Sequence, residues 1–132
     1  MIKEIPVRTG KRIELVDVTS EVQEVVSKSG IKDGLCLVYS PHTTAALIIT
    51  ENADPSVQRD IISKLSKMIP ENEGYTHMEG NSDAHIKSAI IGNSRTVIVK
   101  GGQLLLGTWE GLMFFEGDGP RSRKLFVKVI EG

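Results

Sequence analysis

The chain contains a single cysteine, Cys36, which excludes a disulfide within the chain. Cys36 lies in the apolar segment 35–39, and a lone cysteine in such a segment is typical of a small buried hydrophobic residue. Disulfide frameworks belong to oxidising compartments, so the lack of one favours a reducing compartment. We therefore expect Cys36 to pack inside a cytoplasmic protein.

Long hydrophobic runs and an excess of one charge sign are also missing. The aliphatic run 45–49 is far shorter than the roughly 20 residues that cross a bilayer. The first residues lack the apolar stretch of a secretory signal. The 16 basic and 17 acidic residues give a net charge of -1, and only one Trp, two Tyr and three Phe are present. We therefore expect neither a membrane nor a nucleic acid as partner.

The pattern of apolar residues predicts an α+β fold. Short alternating segments bounded by glycine or proline are typical of strands, and apolar residues at helical spacing are typical of amphipathic helices. The predicted strands are 2–9, 12–18, 35–39, 45–50, 96–99, 103–106, 112–116 and 124–130. Two main helices are predicted between residue 19 and Gly30 and from Pro55 to Pro70, with a short helix at 83–91. We expect one domain over residues 1–132, with a curved mixed β-sheet in a half-barrel or sandwich.

Both main helices carry sequence signals at their first turn. Thr19 or Ser20 can cap the first helix, with Gln23 placed for a capping box. Asp54 is a good cap for the second helix, because proline at the next position suits the start of a helix. We expect Trp109, the only tryptophan, to anchor packing or an interface.

The three histidines are the main candidates for chemistry. His42, His77 and His85 lie beside small polar residues, and three neutral imidazoles with an open position are typical of a catalytic zinc site. Glu79 and Asp83 are close enough in sequence to orient such rings. Their spacing matches no helical pair and no zinc finger, so three separate loop histidines are the alternative.

Two further segments are candidates for a site. Glu51 can act as a general base or orient a metal, or it is a solvated strand end, whereas Asp54 has its capping role. The segment 118–123 offers backbone N–H groups and the guanidinium of Arg121 or Arg123 to a phosphate or carboxylate. The alternative for this segment is a hairpin turn with exposed arginines.

Five segments together resemble the YjbQ-like family, often labelled secondary thiamine-phosphate synthase. They occur in one order along the whole chain: Pro41–Ala46, Glu51–Pro55, His77–Ser88, Gly102–Trp109 and Glu116–Arg121. Each motif alone is weak, and five in register are specific. Glu110 departs from the pattern, since glutamine is expected after the tryptophan.

The resemblance implies an α+β homotrimer with a metal site near a subunit boundary. It implies His42, His77 and His85 as metal ligands, and Glu51, Asp83 and Glu79 as acid/base or orienting groups. Residues expected to hold an anionic substrate are Arg121, Thr43, Thr44, Asn81 and Ser82. Zinc is the expected metal, and magnesium is the alternative with a diphosphate substrate.

The function expected from these residues is a metal-dependent enzyme acting on a phosphorylated small metabolite. Under the family label the reaction is thiamine-phosphate synthesis, in which a pyrimidine methyl group is transferred with loss of pyrophosphate. In a hydrolase, Glu51 or Asp83 serves as the base. The hypothesis from another class is a non-catalytic trimer that binds a metal or ligand in a regulatory role.

Overall fold

The computed structural model describes residues 1–132, in which eight strands and three helices follow one another. The strands are β1 (Ile2–Arg8), β2 (Glu14–Asp17), β3 (Asp33–Tyr39), β4 (Ala45–Glu51), β5 (Ser94–Lys100), β6 (Gln103–Leu104), β7 (Glu110–Glu116) and β8 (Ser122–Glu131). The helices are α1 (Thr19–Ser29), α2 (Pro55–Met68) and α3 (Ser82–Ile91). Every predicted element is present, with bounds that differ by a few residues.

The strands form two sheets that curl into a half-barrel, which confirms the predicted fold class. The larger sheet has the order β1-β8-β3-β5-β6, and the smaller has the order β2-β7-β4. All of the ladders are antiparallel, whereas a mixed sheet was expected. No helix has the length and apolarity that a membrane crossing needs.

The core lies between the two sheets and α1. Alternate residues of the strands point inward, as the two-residue period of a strand requires, and Val22 and Val26 add the inner face of α1. β7, the central strand of the smaller sheet, is buried on both faces from Gly111 to Glu116. Cys36 is fully buried, as predicted, and burial raises the pKa of its thiol to about 11.

The first turn of α1 differs from the prediction. Val18 is the capping residue, and no side chain caps the helix. The Asp17 carboxylate instead accepts from both the N–H and the hydroxyl of Thr19, at 2.9 and 2.6 Å. Gln23 forms no capping box, because its side chain bonds the β6 hairpin at Gly102 O and Leu104 N. The Thr19 hydroxyl oxygen, which a cap would use as an acceptor, instead accepts from the Leu112 N–H at 2.9 Å.

The predicted cap of α2 is confirmed, but the apolar stripe of this helix is not buried. Asp54 accepts from the Ser56 N–H at 2.9 Å, with proline in the first turn. No residue of α2 is buried, and Met68 is 62% exposed. Val57, Ile61 and related residues instead line an open groove against β4 and the end of α3.

The outer face of the larger sheet is also apolar. Leu35 pairs with Ile98 on one side and with Ile130 on the other, and all three are exposed. Leu37 and Tyr39 continue the same face of β3. Antiparallel sheets normally present polar residues to water, and a contiguous apolar patch marks an interaction surface.

The antiparallel pairing of β3 with β8 depends on a glycine. A Cβ at Gly34 would overlap the backbone carbonyl oxygen of Ile130, which cannot move without breaking the ladder. We expect Gly34→Ala to lower the free energy of unfolding by about 3 kcal/mol or more, since backbone overlap in a packed site has no side chain to absorb it. Urea denaturation measures this change.

Gly10→Ala is the matched control, because an added Cβ there meets nothing within 4 Å. Equal stability of the two variants would contradict the role given to Gly34.

Candidate functional site

Three of the predicted segments meet at one end of the half-barrel. They are the β3–β4 loop around Thr44, the first turn of α3, and the β7–β8 turn. The Gly117 N–H donates to Thr44 O at 2.9 Å, and Asn81 Nδ2 donates to Asp118 Oδ2 at 2.9 Å. Gly117 lies so close to α3 that a Cβ on it would come within 3.0 Å of the Ala84 Cβ. The fold thus joins segments that are far apart in sequence.

His42 is held by the backbone of β8. The β3–β8 ladder ends at the Tyr39–Phe126 pair, and two residues further along β8 the Lys124 N–H donates to His42 Nε2 at 3.0 Å. Burial lowers the pKa of this imidazole, and the positive charge of Arg123 lowers it further. His42 is therefore a neutral ring with one nitrogen already engaged.

His77 and His85 lie together. Their ring centroids are 5.3 Å apart, with the rings edge to face, and Glu79 Oε1 is 3.8 Å from His77 Nε2. No group of three or more His, Cys, Asp or Glu side chains in the chain is placed to hold a metal ion. One chain alone therefore supplies two neighbouring imidazoles, and the three-histidine site stays a prediction that needs a further ligand.

The predicted acid Glu51 lies at the other end of β4 from this cluster. The strand runs from Ala45, beside Thr44, to Glu51, a distance of about 20 Å at the usual rise of a strand. The Glu51 carboxylate accepts from the Asp54 N–H at 3.0 Å, in the turn before α2. Within one chain Glu51 is too far from His77 and His85 to act with them.

Asp83 is buried in an ion-pair network instead of facing a substrate. Arg12 donates to its two carboxylate oxygens at 3.1 and 3.3 Å, and Lys87 Nζ donates at 3.2 Å. The side chains of Asp83 and Lys87 are each 1% exposed. Burial alone would raise the pKa of Asp83, but the bonds from Arg12 and Lys87 outweigh it and lower the pKa. Asp83 is thus a bound carboxylate with little capacity to take a proton.

A second buried ion pair joins the two sheets beside the site. Arg123 Nε donates to Glu116 Oε1 at 2.8 Å, and Arg123 Nη2 donates to Thr44 Oγ1 at 2.8 Å. The Thr9 hydroxyl donates to Glu116 at 2.9 Å. Burial opposes the ionisation of Glu116, but the bonds from Arg123, Asp118 N–H and Thr9 lower its pKa overall. Thr44, a predicted substrate residue, is thereby committed to structure, whereas Thr43 is exposed.

Arg121 is partly committed as well. Its Nε and Nη2 donate to the carbonyl and the carboxylate of Asp118, at 2.7 and 3.0 Å, and its side chain is 52% exposed. The predicted turn is therefore present, and Arg121 holds it together. Its Nη1 forms no hydrogen bond within the chain.

The first turn of α3 has backbone donors that no group of the chain satisfies. Asn81 is the capping residue, but its side chain makes no capping bond. The N–H groups of Ser82 and Asp83 have no acceptor in the chain. Uncapped N–H groups at a helix N-terminus bind anions, so Asn81 and Ser82 lie where an anion-binding role requires them.

Three charged residues of this region, Arg12, Lys87 and Glu116, were not expected from sequence, and Arg123 was expected to bind an external anion and not Glu116. The spacing of Asp83 and Lys87 was a usable signal, because residues four apart share one face of a helix. Arg12 gave no such signal, since Asp83 lies 71 positions away. Glu116 and Arg123 gave none because they lie on two strands on either side of a turn, where no helical spacing applies.

Known proteins match the chain over nearly its full length. A family model described as UPF0047 protein YjbQ-like matches residues 3–132. A UPF0047 protein of Methanocaldococcus jannaschii is 54% identical over 98% of this chain and 94% of its own length. YugU of Bacillus subtilis is 46% identical over 98% of this chain and 99% of its own.

Solved structures agree with the fold. An uncharacterised YjbQ/UPF0047 protein of Clostridium acetobutylicum has a TM-score of 0.95 and 48% identity, over 97% of this chain and 99% of that one. A protein of unknown function from Sulfolobus solfataricus has a TM-score of 0.95 and 32% identity, over 100% of this chain and 97% of that one.

The Glu116–Arg123 pair predicts a large loss of stability when one partner is removed. In Arg123→Met the Glu116 carboxylate stays buried without its cation, which we expect to lower the free energy of unfolding by about 3 kcal/mol. The double variant Arg123→Met/Glu116→Gln should recover part of the loss, because no uncompensated charge remains. Urea denaturation measures both variants at neutral pH.

The pH dependence provides an independent check. A glutamate with a lowered pKa in the folded state stabilises the protein fully above the ordinary pKa of about 4.3, and this stabilisation is lost as the pH falls through the lowered value. Between about pH 5 and 3 the wild type should therefore lose stability more steeply than the double variant. Lys28→Met, which removes an exposed pair with Glu24, is the control and should change nothing measurable. If Arg123→Met were as stable as Lys28→Met, the role given to the Glu116–Arg123 pair would be contradicted.

Proposed function

This chain belongs to the YjbQ-like UPF0047 family, and we propose that it is a metal-dependent enzyme acting on a phosphorylated small metabolite. The observation that carries the proposal is that His77, just before α3, and His85, within α3, lie together beside the unpaired N–H groups of the first turn of this helix. Two imidazoles and a set of free N–H donors thus lie on one short stretch of chain. This combination suits a ligand with a phosphate group and a cation beside it.

The chain's own residues support binding and orientation. The N–H groups of Ser82 and Asp83 provide donors for phosphate oxygens. The half-exposed guanidinium of Arg121 lies nearby, because Arg121 and Asn81 both donate to the Asp118 carboxylate. The imidazoles of His77 and His85 offer nitrogen ligands. A divalent cation bound there would offset negative charge that develops on a phosphate leaving group. Zinc suits the imidazoles, and magnesium suits a diphosphate substrate.

Thiamine-phosphate synthesis is one reaction of this class. The methyl carbon of the pyrimidine breaks its bond to diphosphate, which leaves as pyrophosphate, and bonds to the nitrogen of a thiazole phosphate. The site must therefore hold two phosphorylated molecules, and it needs little acid/base chemistry. That requirement agrees with the scarcity of free bases, since Asp83 is paired and Glu51 is distant. Glu79 remains, with a largely exposed carboxylate 3.8 Å from His77.

The same scarcity of free bases favours the second candidate, a metal- or ligand-binding protein with a regulatory role. The buried carboxylates Asp83 and Glu116 are both neutralised by cationic side chains. A site without a poised proton acceptor can bind a phosphorylated ligand without converting it. Turnover distinguishes the two candidates, whereas ligand binding does not.

We further propose that the protein is a homotrimer. A closed ring of three copies uses two different patches of each chain, and each chain has two unpartnered apolar surfaces, on α2 and on the outer face of the larger sheet. Such an assembly also offers a source for the metal ligand that one chain lacks, because a neighbouring copy can bring His42 or Glu51 to the imidazole pair.

The metal proposal predicts that His77 and His85 are both required for binding. Zinc-loaded wild type should retain about one equivalent of metal per chain, and His77→Ala and His85→Ala should each lose most of it, because two remaining ligands hold zinc weakly. Elemental analysis after dialysis measures this. The same variants are then compared with wild type in a screen of phosphorylated metabolites, including the substrates of thiamine-phosphate synthesis.

Thr43→Ala is the matched control, since Thr43 is exposed in the neighbouring loop and carries no imidazole. Less than about a tenth of an equivalent of metal on loaded wild type would contradict the metal site. Metal binding without turnover would favour the regulatory candidate, and turnover that survives both histidine changes would contradict the enzyme proposal.

The trimer proposal predicts that a charge on either apolar surface separates the copies. Leu37→Lys on β3 and Ile61→Lys on α2 should each reduce the mass in solution from that of three 14.4 kDa chains to that of one, because a buried unpaired charge is costly in an apolar interface. Sedimentation equilibrium measures the mass. Ser63→Lys, on the exposed side of α2, should leave the trimer intact, and a monomeric wild type would refute the proposal.

A further inference from the structure

The first turn of α3 leaves two backbone donors without an acceptor. The N–H groups of Ala84 and His85 both donate to the Asn81 carbonyl, at 3.0 and 3.3 Å. The N–H groups of Ser82 and Asp83 donate to no group of this chain, although both residues are buried. Buried N–H groups in folded proteins nearly always have a partner, so these two donors point to a ligand or solvent oxygen.

The Asn81 side chain adds a free hydrogen-bond acceptor beside these two free donors. Its Nδ2 donates to the Asp118 carboxylate at 2.9 Å, and since a carboxylate only accepts, this bond fixes which end of the amide carries the oxygen. Asn81 is 8% exposed, and its Oδ1 accepts no hydrogen bond. Asn81 precedes the two free N–H groups directly, so donors and acceptor occur at one helix terminus.

We infer that this terminus binds an oxyanion that itself carries a hydrogen-bond donor. An anionic oxygen accepts from the N–H groups of Ser82 and Asp83, and a hydroxyl of the same ligand donates to Asn81 Oδ1. Hydrogen phosphate has both features, as does a phosphate ester with a hydroxyl on a neighbouring carbon. The inference rests on the proposed function, because it specifies the ligand chemistry of the same site.

Charge alone does not account for selection at this terminus. The three cations Arg12, Lys87 and Arg121 are matched by three carboxylates, those of Asp83, Asp118 and Glu71. With the nearby charges paired, discrimination depends on directional hydrogen bonds, and Asn81 Oδ1 is the group that separates one anion from another. Sulfate has no proton at neutral pH and would place a bare oxygen against this carbonyl oxygen, whereas hydrogen phosphate donates to it.

The inference predicts a preference for phosphate over sulfate. We expect inorganic phosphate to bind wild-type protein about tenfold more tightly than sulfate at pH 7, since one buried acceptor is satisfied by the first anion alone. Isothermal titration calorimetry at matched ionic strength measures both affinities. Backbone amide NMR locates the site, and the Ser82 and Asp83 resonances should shift with phosphate.

Two variants separate the role of the Asn81 oxygen from that of the nearby Asp118 charge. Asn81→Ala removes the acceptor and should reduce the phosphate-to-sulfate ratio to about one. Asp118→Asn removes the charge but keeps an oxygen that accepts from Nδ2, so Oδ1 stays in place and the preference should remain. The ratio is informative because a general change of charge or stability affects both anions alike.

The outcomes divide as follows. Equal affinities for the two anions in wild type, or a preference that Asn81→Ala leaves unchanged, would overturn the inference and leave the proposed function standing. Binding that leaves the Ser82 and Asp83 amides unmoved would have the same meaning. No binding of either anion would overturn both. The wild-type comparison decides the matter even where Asn81→Ala does not fold.

Discussion

The Glu116–Arg123 ion pair is the contact on which the site end of the molecule depends. Glu116 belongs to the smaller sheet and Arg123 to the larger, so the pair joins the sheets. Arg123 also donates to Thr44, and Glu116 accepts from Thr9 and from the Asp118 N–H. Three loops are thereby fixed by one pair of charges. A buried pair of this kind is weak support for stability in general, but here it sets the positions of the segments that carry Asn81 and Arg121.

Local physics explains why most of the fold was predictable from sequence. Strand alternation, the glycine that ends α1 and the Asp54 cap each depend on neighbours within a few residues. The predicted cap of α1 was wrong because the Leu112 N–H, which is remote in sequence, donates to the Thr19 hydroxyl oxygen that a cap would use as an acceptor. The periodicity of α2 was read correctly, but periodicity indicates only that an apolar stripe exists. It does not say whether the stripe packs on its own chain or on another, and in this chain it remains exposed.

The candidate site was less predictable, because its contacts join residues that are remote in sequence. The motifs indicated that His77, His85, Asn81 and Ser82 matter, and the fold does bring this segment against the β7–β8 turn. The roles of individual acids were harder to predict. Asp83 looks like a general base in sequence, yet Arg12 lies 71 positions away and binds it as a carboxylate. No local pattern shows whether a carboxylate has a cationic partner, and that partner decides between proton transfer and structure.

The pairing of charges also determines how the site can attract a ligand. A net charge of -1 and matched ion pairs around α3 give little long-range field to draw an anion in. What remains unpaired is short-range and directional: the N–H groups of Ser82 and Asp83 and the two imidazoles. Such groups discriminate by geometry and proton position, because each hydrogen bond requires a donor facing an acceptor. A site of this kind selects its ligand after encounter, and so its specificity should depend less on ionic strength than that of a site built on unpaired arginines.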